Sequence, residues 1–449
     1  MIWKILCVLC LYSLPLTCSS PTVLKLPGSL KSLLVAGHRG GMPNFYENSV
    51  EAAVEAIRAG MPAVEADVVL SSDGILFVQH DLSLSRTTDI ESRREFSSRR
   101  RPSPFGDQDS TGEKGDKGES SDFWAFDFNS TELASLHHKC QSCSLLSSSS
   151  IRRPPLLSTL RDYLSAVQAE KASSKNNAIL LLELKGANKM DILRKKKGVP
   201  LVRMEDAVLA ELSAAGFRKG EVYLMAFEPP TLRYIRSIYS SPLAKTASMY
   251  SSLTGSPPTT SPPSVSNAPS PPPTPAFLSA LSSSIVQFIK SHLQRPPEYP
   301  LVQLIAGRSH RVRGESGVLY GDLVTKLGID TISEYANAVG PYHGYITGEE
   351  VPQILGISWV AYAHSKGLEV YAWTFKRDVD KLRAAFQHGV DAVICDDVTF
   401  GMGAAATYMS EKSSPRLGQA PVIVDHKSLA KYEKEKKKSE KREQVVRTV

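Results

Sequence analysis

Acidic and apolar residues alternate in the segment VEADVVL, residues 64–70. Because alternate residues of an extended strand share a face, Glu65 and Asp67 are expected to point the same way. Two carboxylates on one face of an apolar strand are costly to bury unless a positive group meets them. A third acid, Glu183, ends the apolar run AILLLEL, and Lys185 follows two positions later on the same face. Each acid taken singly would be expected to pair with a surface Lys or Arg, but three at strand-end positions indicate a shared site.

The chemistry predicted for these acids is the binding of a divalent cation. Three carboxylates that converge without a cation raise one another's pKa values until one of them is protonated, and a bound ion relieves this repulsion. A site made only of oxygen atoms suits a hard ion, so we expect Mg²⁺ or Ca²⁺, and the sequence fits both.

His80 is expected to join this site through a hairpin. The turn SSDG separates the strand that carries the acids from the segment ILFVQH, residues 75–80. We expect Leu70 to pair with Ile75. Glu65 then lies opposite His80, and directly paired residues share a face. The prediction depends on this register, because a shift of one residue would send the side chains to opposite faces.

A second histidine, His38, stands at the junction of a strand-like and a helix-like segment. A single histidine at a strand end is most often a hydrogen-bonded structural residue. Here Arg39, Gly40 and Gly41 follow it, and glycines allow a ligand to approach the backbone closely. The start of the next helix also favours anions. We therefore expect His38 and Arg39 to face a phosphate.

Most of the chain alternates between strand-like and helix-like patterns, which is typical of repeated β/α units around a mostly parallel sheet. Asn48 and Glu51 predict a capping box at the start of the first helix, and Glu47 is interpreted as complementing the dipole of that helix. An eight-stranded barrel has no place for a ninth strand, so one of the nine candidates is an extra hairpin strand or is not a strand. The candidate strands are residues 32–38, 63–70, 75–80, 177–185, 221–227, 300–306, 331–336, 368–375 and 391–396. The candidate helices are residues 48–60, 205–215, 230–239, 352–366 and 378–388.

Two internal segments and the end of the chain interrupt this pattern. Residues 91–122 are rich in Ser, Arg, Gly and Lys, and residues 241–280 contain a Pro- and Ser-rich stretch, so neither is expected to build a core. We interpret both as disordered insertions in the surface loops of one domain, residues 30–404. Residues 405–449 are typical of a polar, mixed-charge basic tail.

The composition disfavours a nucleic-acid-binding protein. The chain has 449 residues and a formal net charge of +7, but much of its basic charge lies in short polar runs, which are more often solvated than part of a binding surface. The sequence contains no nucleic-acid-binding motif. Cys395 lies in an apolar run and is expected to be buried, whereas Cys140 and Cys143 favour a local disulfide or loop cysteines over a zinc site.

The N-terminal segment predicts export. Lys4 precedes an apolar run, residues 5–16, and small residues follow, as in a secretory signal peptide covering residues 1–20. No later stretch is apolar and long enough to span a membrane. The mature chain is therefore expected to be secreted or to lie in a lumenal or vacuolar compartment. Asn129 starts the only glycosylation acceptor sequence, Asn-Ser-Thr.

Taken together, the motifs resemble those of the glycerophosphodiester phosphodiesterase family. The motifs HRG, ENS, VEADV, SDG, VQHD and RTTD come first, and LLELK, MAFEPPTLRYI, YANAVGPYHGYI and GLEVYAWTF follow. The resemblance covers residues 33–400 apart from the two insertions. The form of YANAVGP is more similar to the exported branch of the family than to the short intracellular one.

This resemblance implies an α/β fold, a (β/α)8 TIM barrel with disordered loop insertions and a site at the C-terminal ends of its strands. It implies metal-dependent hydrolysis of a small glycerophosphodiester to glycerol 3-phosphate and an alcohol. It assigns catalysis to two residues, and we expect His38 to be the base and His80 the acid. The residues matched to cation ligands are Glu65, Asp67 and Glu183, and those matched to substrate contacts are Arg39, Lys185 and Trp373.

Two alternatives stay open beside this reading. One is a phospholipase D-like enzyme of the same fold that acts on lysophospholipids, which would need an apolar entry that the sequence does not display. The other is a catalytically inactive secreted binding protein, which the presence of both histidines and all three acids disfavours. Asp89, where the family usually has Gly, stands directly before the first insertion and bears on substrate selectivity.

Overall fold

The computed structural model describes residues 33–105, 121–139, 154–197, 202–240, 296–348 and 351–413. Within them, eight parallel strands form one closed sheet, because the first strand pairs with both the second and the last. This is the expected (β/α)8 barrel. Its strands are β1 (Leu34–Gly37), β2 (Ala63–Leu70), β4 (Ile179–Leu184), β5 (Val222–Ala226), β6 (Leu301–Ile305), β7 (Ala338–Pro341), β10 (Glu369–Phe375) and β11 (Ala392–Cys395). Three short strands complete the set, β3 (Leu76–Val78) antiparallel to β2, and the pair β8 (Gln353–Ile354) and β9 (Ile357–Ser358).

Helices lie between the strands along the chain. The described helices are α1 (Val50–Arg58), α2 (Ser130–Ala134), α3 (Leu160–Ser174), α4 (Ala187–Lys197), α5 (Met204–Ala214), α6 (Pro229–Tyr239), α7 (Tyr320–Leu323), α8 (Lys326–Ser333), α9 (Gly344–Thr347), α10 (Trp359–Ser365), α11 (Val379–Gln387) and α12 (Val398–Ser413). None of the helices in these ranges is both long and apolar enough to cross a membrane.

Helix α1 begins differently from its prediction. The cap is Ser49, whose Oγ accepts the N–H of Ala52 at 3.1 Å, and Ala53 and Ile57 are buried four residues apart on one face. The predicted capping box at Asn48 is wrong. Asn48 has a left-handed backbone, with φ of 59°, and its side chain bonds to Asp67 in β2 instead.

The hairpin of β2 and β3 is present, but its predicted register is wrong by one residue. Leu70 pairs with Leu76, not with Ile75. Strand β3 ends at Val78, so His80 lies beyond the ladder and its direction does not follow from strand pairing. The predicted ninth strand is therefore this hairpin strand, outside the barrel.

The strand predicted for residues 331–336 is wrong. Helix α8 covers the first half of that segment, and its buried residues Ile329 and Ile332 follow helical spacing. The barrel strand in this part of the chain is β7, which starts at Ala338. Similarly, the helix predicted for residues 352–366 begins only at Trp359, because β8 and β9 come first.

Part of the first insertion is ordered, contrary to its prediction. Residues 91–105 fold back so that Arg101 and Asp122 exchange backbone hydrogen bonds of 3.0 and 2.9 Å. Phe96 and Phe123 join an apolar cluster with Phe128. The insertion is mostly polar, but these aromatic side chains bury apolar surface and so order part of it.

Other predictions fall partly or wholly outside the described residues. The N-terminal segment 1–20, the remainder of the first insertion, the insertion 241–280, and the cysteines at 140 and 143 lie outside them. Helix α12 extends into the predicted tail, and residues 414–449 are not described. Cys395 is a buried free cysteine in β11, as predicted.

Candidate active site

Five of the predicted site residues line one cleft inside the barrel, and Asp67, Arg39 and Lys185 contact its acids. Its polar lining is His38, Glu65, His80, Glu183 and Thr374, and its apolar lining is Met225, Phe227, Leu304, Trp373 and Ile394. The polar and apolar residues come from strands that are far apart in sequence, so barrel closure is what brings them together.

Three buried acids form the floor of this cleft. One carboxylate oxygen from each of Glu65, Asp67 and Glu183 lies within 4.8 Å of the others. Strands β2 and β4 are neighbours, and their register places Asp67 directly beside Glu183. Burial raises the pKa of Glu65 well above its usual range, and the negative charge of Asp67 adds to this rise. The donor set is all oxygen, so it fits a hard divalent cation.

Lys185 lies among these acids. Its Nζ is 3.2 Å from Oδ1 of Asp67 and 2.8 Å from Oε1 of Glu183. Burial opposes the ionisation of Asp67, but the positive charge of Lys185 outweighs it and holds the pKa of Asp67 below its usual range. The Oε1 atom of Glu183 accepts no hydrogen bond of normal geometry despite the short distance to Lys185, so this buried oxygen retains coordinating capacity for a cation.

Arg39 touches the acids through both its backbone and its side chain. Its N–H donates to Oε2 of Glu65 at 2.6 Å, and its Nε lies 3.7 Å from Oδ2 of Asp67. The turn after β1 is tight, since a Cβ on Gly41 would lie 2.3 Å from the Cα of Gly37. Arg39 itself has φ of 52°, in the left-handed region. This turn aims the amide of Arg39 at the acids.

Each cleft histidine is oriented by an aspartate. His38 Nδ1 donates to Oδ1 of Asp396 at 2.6 Å, and His80 Nδ1 donates to Asp81. The Nε2 atom of His80 lies 2.9 Å from Nζ of Lys185. Because the ammonium group can only donate, it fixes Nε2 of His80 as the acceptor and Nδ1 as the protonated nitrogen. Burial, and then the charge of Arg39, lowers the pKa of His38, while Asp396 opposes this shift.

A charged cluster beside the cleft was missed from the sequence. Glu47 accepts from Arg39 at 3.2 Å and from Arg86 at 2.9 Å, and Arg86 also bonds to Asp81. The prediction that Glu47 serves the helix dipole overlooked this bridge between the two arginines. Two features of the sequence indicated this cluster. Glu47 lies eight residues after Arg39, across a glycine turn, and Asp81 directly follows His80.

Asn48 is a second residue whose role the sequence did not reveal. Its Nδ2 donates to Oδ2 of Asp67 at 2.9 Å, and its Oδ1 accepts the N–H of Asp67 at 3.0 Å. This two-way contact fixes the carboxylate of Asp67 in the cleft.

Trp373 forms one wall of the cleft. Its Nε1 donates to the carbonyl oxygen of Gly340 at 2.6 Å, and its ring meets Phe227 edge to face, with centroids 5.4 Å apart. Phe227 in turn lies under the Lys185 ammonium, 5.9 Å from Nζ to the ring centroid. The wall is therefore aromatic, while the floor is charged.

Comparison with known proteins agrees with this architecture. A glycerophosphodiester phosphodiesterase domain-containing protein of Gallus gallus is 38% identical over 84 residues, which is 19% of this chain and 14% of that protein. A glycerophosphodiester phosphodiesterase of Arabidopsis thaliana is 32% identical over 102 residues, which is 23% of this chain and 25% of that protein. The alignments thus span a quarter or less of these relatives.

A solved structure and a family model extend the comparison. The structure of a Silicibacter pomeroyi protein assigned to the glycerophosphoryl diester phosphodiesterases superposes with a TM-score of 0.50 and 16% identity, covering 85% of this chain and 96% of that one. At this identity the superposition shows the fold. Residues 38–261 match the sequence model of the glycerophosphoryl diester phosphodiesterase family.

Proposed function

We propose that this chain hydrolyses glycerophosphodiesters to glycerol 3-phosphate and an alcohol, with the help of a divalent cation. The observation that carries the proposal is the convergence of three buried carboxylates, two oriented histidines and two cationic side chains on one cleft of a barrel that matches this family. We infer that residues 30–404 form this enzymatic domain.

The cation would be held by Glu65, Asp67 and Glu183. When bound, Mg²⁺ or Ca²⁺ supplies positive charge that polarises a phosphoryl oxygen. The raised pKa of Glu65 and the partly satisfied Glu183 are what such an ion would relieve.

Arg39 and Lys185 would bind the phosphodiester. Its single negative charge repels a nucleophile, and two preorganised cations offset this repulsion and stabilise the charge that develops on the phosphoryl oxygens. Both side chains already lie beside the acids, Arg39 at Asp67 and Lys185 at Glu183. Trp373 would contact the remainder of the substrate.

The two histidines would move the protons. In the arrangement described, His38 keeps its proton at Nδ1, on Asp396, which leaves Nε2 as a base for the attacking hydroxyl of water or of glycerol C2. His80 would act as the acid toward the departing oxygen. For this it must bind a proton at Nε2, where Lys185 now donates, and Asp81 on Nδ1 stabilises the imidazolium that forms.

An assay of the purified full-length chain tests the proposal. Glycerophosphocholine should release glycerol 3-phosphate, a chelator should abolish the release, and excess Mg²⁺ or Ca²⁺ should restore it. Activity that resists the chelator would remove the cation from the proposal. No release from any glycerophosphodiester tested, with either ion present, would contradict the proposed function.

We also propose that the chain is of the exported type and enters the secretory pathway. Support comes from the N-terminal apolar run, the motif YANAVGP and the acceptor residue Asn129, which is exposed at the start of α2. Removal of residues 1–20 from the mature chain, measured by N-terminal sequencing after expression in a secreting host, tests this. A retained N-terminus inside the cells would contradict it.

A further inference from the structure

A second cationic side chain, that of Arg313, lies over the ring of Phe227, which lines the cleft. The guanidinium carbon of Arg313 lies 4.9 Å from the centroid of the Phe227 ring, and Nζ of Lys185 lies 5.9 Å from the same centroid. Arg313 belongs to the loop that follows β6, at the C-terminal end of the barrel. Arg313 and a lysine of the candidate site therefore lie near the same aromatic ring.

The guanidinium group of Arg313 does not pair with an acid of its own loop. Within the described ranges, its guanidinium forms no ion pair with a carboxylate. Glu315, two residues later, pairs instead with Arg233 at 2.6 Å. The backbone of this segment is anchored by Val312, whose N–H donates to the carbonyl oxygen of Val318 at 2.8 Å, and by Arg313, whose N–H donates to Oη of Tyr320 at 3.4 Å. A half-buried arginine over a cleft ring, with the nearby acid engaged elsewhere, is arranged to meet an anion.

Lys189 brings a second positive charge to the same region. It lies in α4, after β4, with its Nζ 5.0 Å from the centroid of the Phe105 ring. Burial, and then the charge of Arg313, lowers the pKa of Lys189 to about 7, although Glu228 opposes the shift. The loop of Arg313 lies against the start of α4, since a Cβ on Gly314 would lie 2.8 Å from Nδ2 of Asn188.

The acid Glu228 acts on the charge of Lys189. Glu228 is buried, and its Oε2 accepts the N–H of Asn188 at 2.9 Å, so this acid is held at the start of α4. Arg313, which pairs with no carboxylate among the described residues, leaves its positive charge beside the aromatic wall. An anionic group placed there would be stabilised by charge-assisted hydrogen bonds, most strongly with the forked guanidinium.

We propose that Arg313 forms a subsite for an anionic head group, a carboxylate or phosphate carried by the alcohol portion of the substrate. This inference rests on the proposed function, because the head group reaches the subsite only when the scissile phosphodiester is held at Lys185. The subsite favours glycerophosphodiesters with an acidic alcohol over those whose alcohol lacks the acid.

Two pairs of substrates isolate the contribution of the acidic group. Glycerophosphoserine differs from glycerophosphoethanolamine by one carboxylate, and glycerophosphoglycerol phosphate differs from glycerophosphoglycerol by one phosphate. The full-length chain should hydrolyse at least one acidic member with the higher kcat/KM. In Arg313→Gln, kcat/KM for that acidic member should fall about tenfold or more, because the substitution removes a charged hydrogen bond to its acidic group. The kcat/KM for the partner substrate, which lacks this group, should stay unchanged.

Arg311→Gln is the matched control. Arg311 is exposed on the same loop, two residues away, so the same loss of charge there should change neither member of a pair. A loss confined to the carboxylate pair or to the phosphate pair identifies which anion the subsite takes. Equal losses for both members of each pair, or no loss in any, would overturn the inference.

The failure of this inference can be told apart from failure of the proposed function. If the unaltered chain hydrolyses none of the four diesters, the proposed function fails. If it hydrolyses them and Arg313→Gln shows no selective loss, the proposed function stands and the subsite does not. Calorimetric binding of glycerophosphoserine and glycerophosphoethanolamine to His80→Ala gives a readout without turnover, and weaker binding of only the serine diester after adding Arg313→Gln supports the subsite.

Discussion

The Nδ1 atom of His38 lies 2.6 Å from Oδ1 of Asp396, although 358 positions separate the two residues in the chain. His38 directly follows β1, and Asp396 directly follows β11. These two strands pair in parallel, with Gly37 beside Cys395, so closure of the barrel creates the contact. The histidine and its acid are thus fixed by the last pairing that completes the fold.

Replacing this acid should alter both turnover and its pH dependence. In Asp396→Asn, kcat/KM should fall by about 10²-fold, because an amide no longer secures the Nδ1–H form of His38. Asp396 raises the pKa of His38 against the opposing effects of burial and Arg39, so its removal lowers that pKa further. The acid limb of the profile of kcat/KM against pH should therefore move to lower pH.

The neighbouring acid provides the control for this variant. Asp397 pairs with the exposed Arg377 at 2.6 Å, away from His38, so Asp397→Asn should leave the profile in place. An acid limb that stays at the same pH in Asp396→Asn would show that Asp396 does not act on His38.

His80→Ala should lower turnover by about 10²–10⁴-fold. The free energy of unfolding should change by about 1 kcal/mol or less, because no buried charge is left unpaired. Lys185 keeps Asp67 and Glu183, and Asp81 keeps Arg86. Steady-state kinetics and thermal unfolding of the same preparation measure the two quantities.

His388→Ala serves as the comparison for this variant. His388 is exposed at the end of α11, and its replacement should leave both activity and unfolding unchanged. Retention of near-normal activity toward glycerophosphocholine by His80→Ala would refute the assignment of His80.

Sequence patterns predicted the barrel because its strands are buried on both faces and its helices have apolar stripes. The hairpin shows where such patterns fail. The register of β2 and β3 depends on one turn, and the turn placed Leu70 opposite Leu76, one position from the prediction. His80 still reaches the cleft, since β3 ends before it and the loop directs its side chain. The segment 331–336 was misassigned because β-branched residues there also suit the helical spacing of α8.

The residues that support the site were harder to predict than those that form it. Glu65 and Asp67 share a strand, so their common direction follows from local geometry. Asp396 reaches His38 only through barrel closure, and Arg86 reaches Glu47 across 39 positions in a loop. Such contacts have no period in the sequence, and no alternation or spacing predicts them.

A divalent cation should stabilise the folded chain as well as activate it. At about 100 times its dissociation constant, Mg²⁺ or Ca²⁺ should raise the free energy of unfolding by about 2.7 kcal/mol, because the ion binds the assembled acids and not the unfolded chain. Glu183→Gln should lose most of this gain. Thermal unfolding with and without the ion measures it.

Glu211→Gln tests whether the gain is specific. Glu211 pairs with the exposed Arg161 at 2.7 Å, outside the cleft, so this variant should keep the full stabilisation by the cation. Equal stabilisation of both variants would mean that the ion binds elsewhere.

The pH dependence of stability should reveal Glu65. Its pKa is raised by burial, and further by Asp67, so between the ordinary glutamate pKa and this raised value the folded chain binds more protons at residue 65 than the unfolded chain. The stability contribution of this group is then fully present below the ordinary pKa and declines as pH rises through that window. Without a cation, Glu65→Gln should reduce the slope of unfolding free energy against pH there, by up to about 1.4 kcal/mol per pH unit. A saturating divalent cation should reduce the slope of the unaltered chain in the same direction, because the ion binds the ionised carboxylate.

Glu51→Gln is the control for this variant. Glu51 is exposed in α1, so its replacement should leave the slope of unfolding free energy against pH as it was. Denaturant titrations across this pH range measure the slopes, and equal slopes for Glu65→Gln and the unaltered chain would contradict the assignment to Glu65.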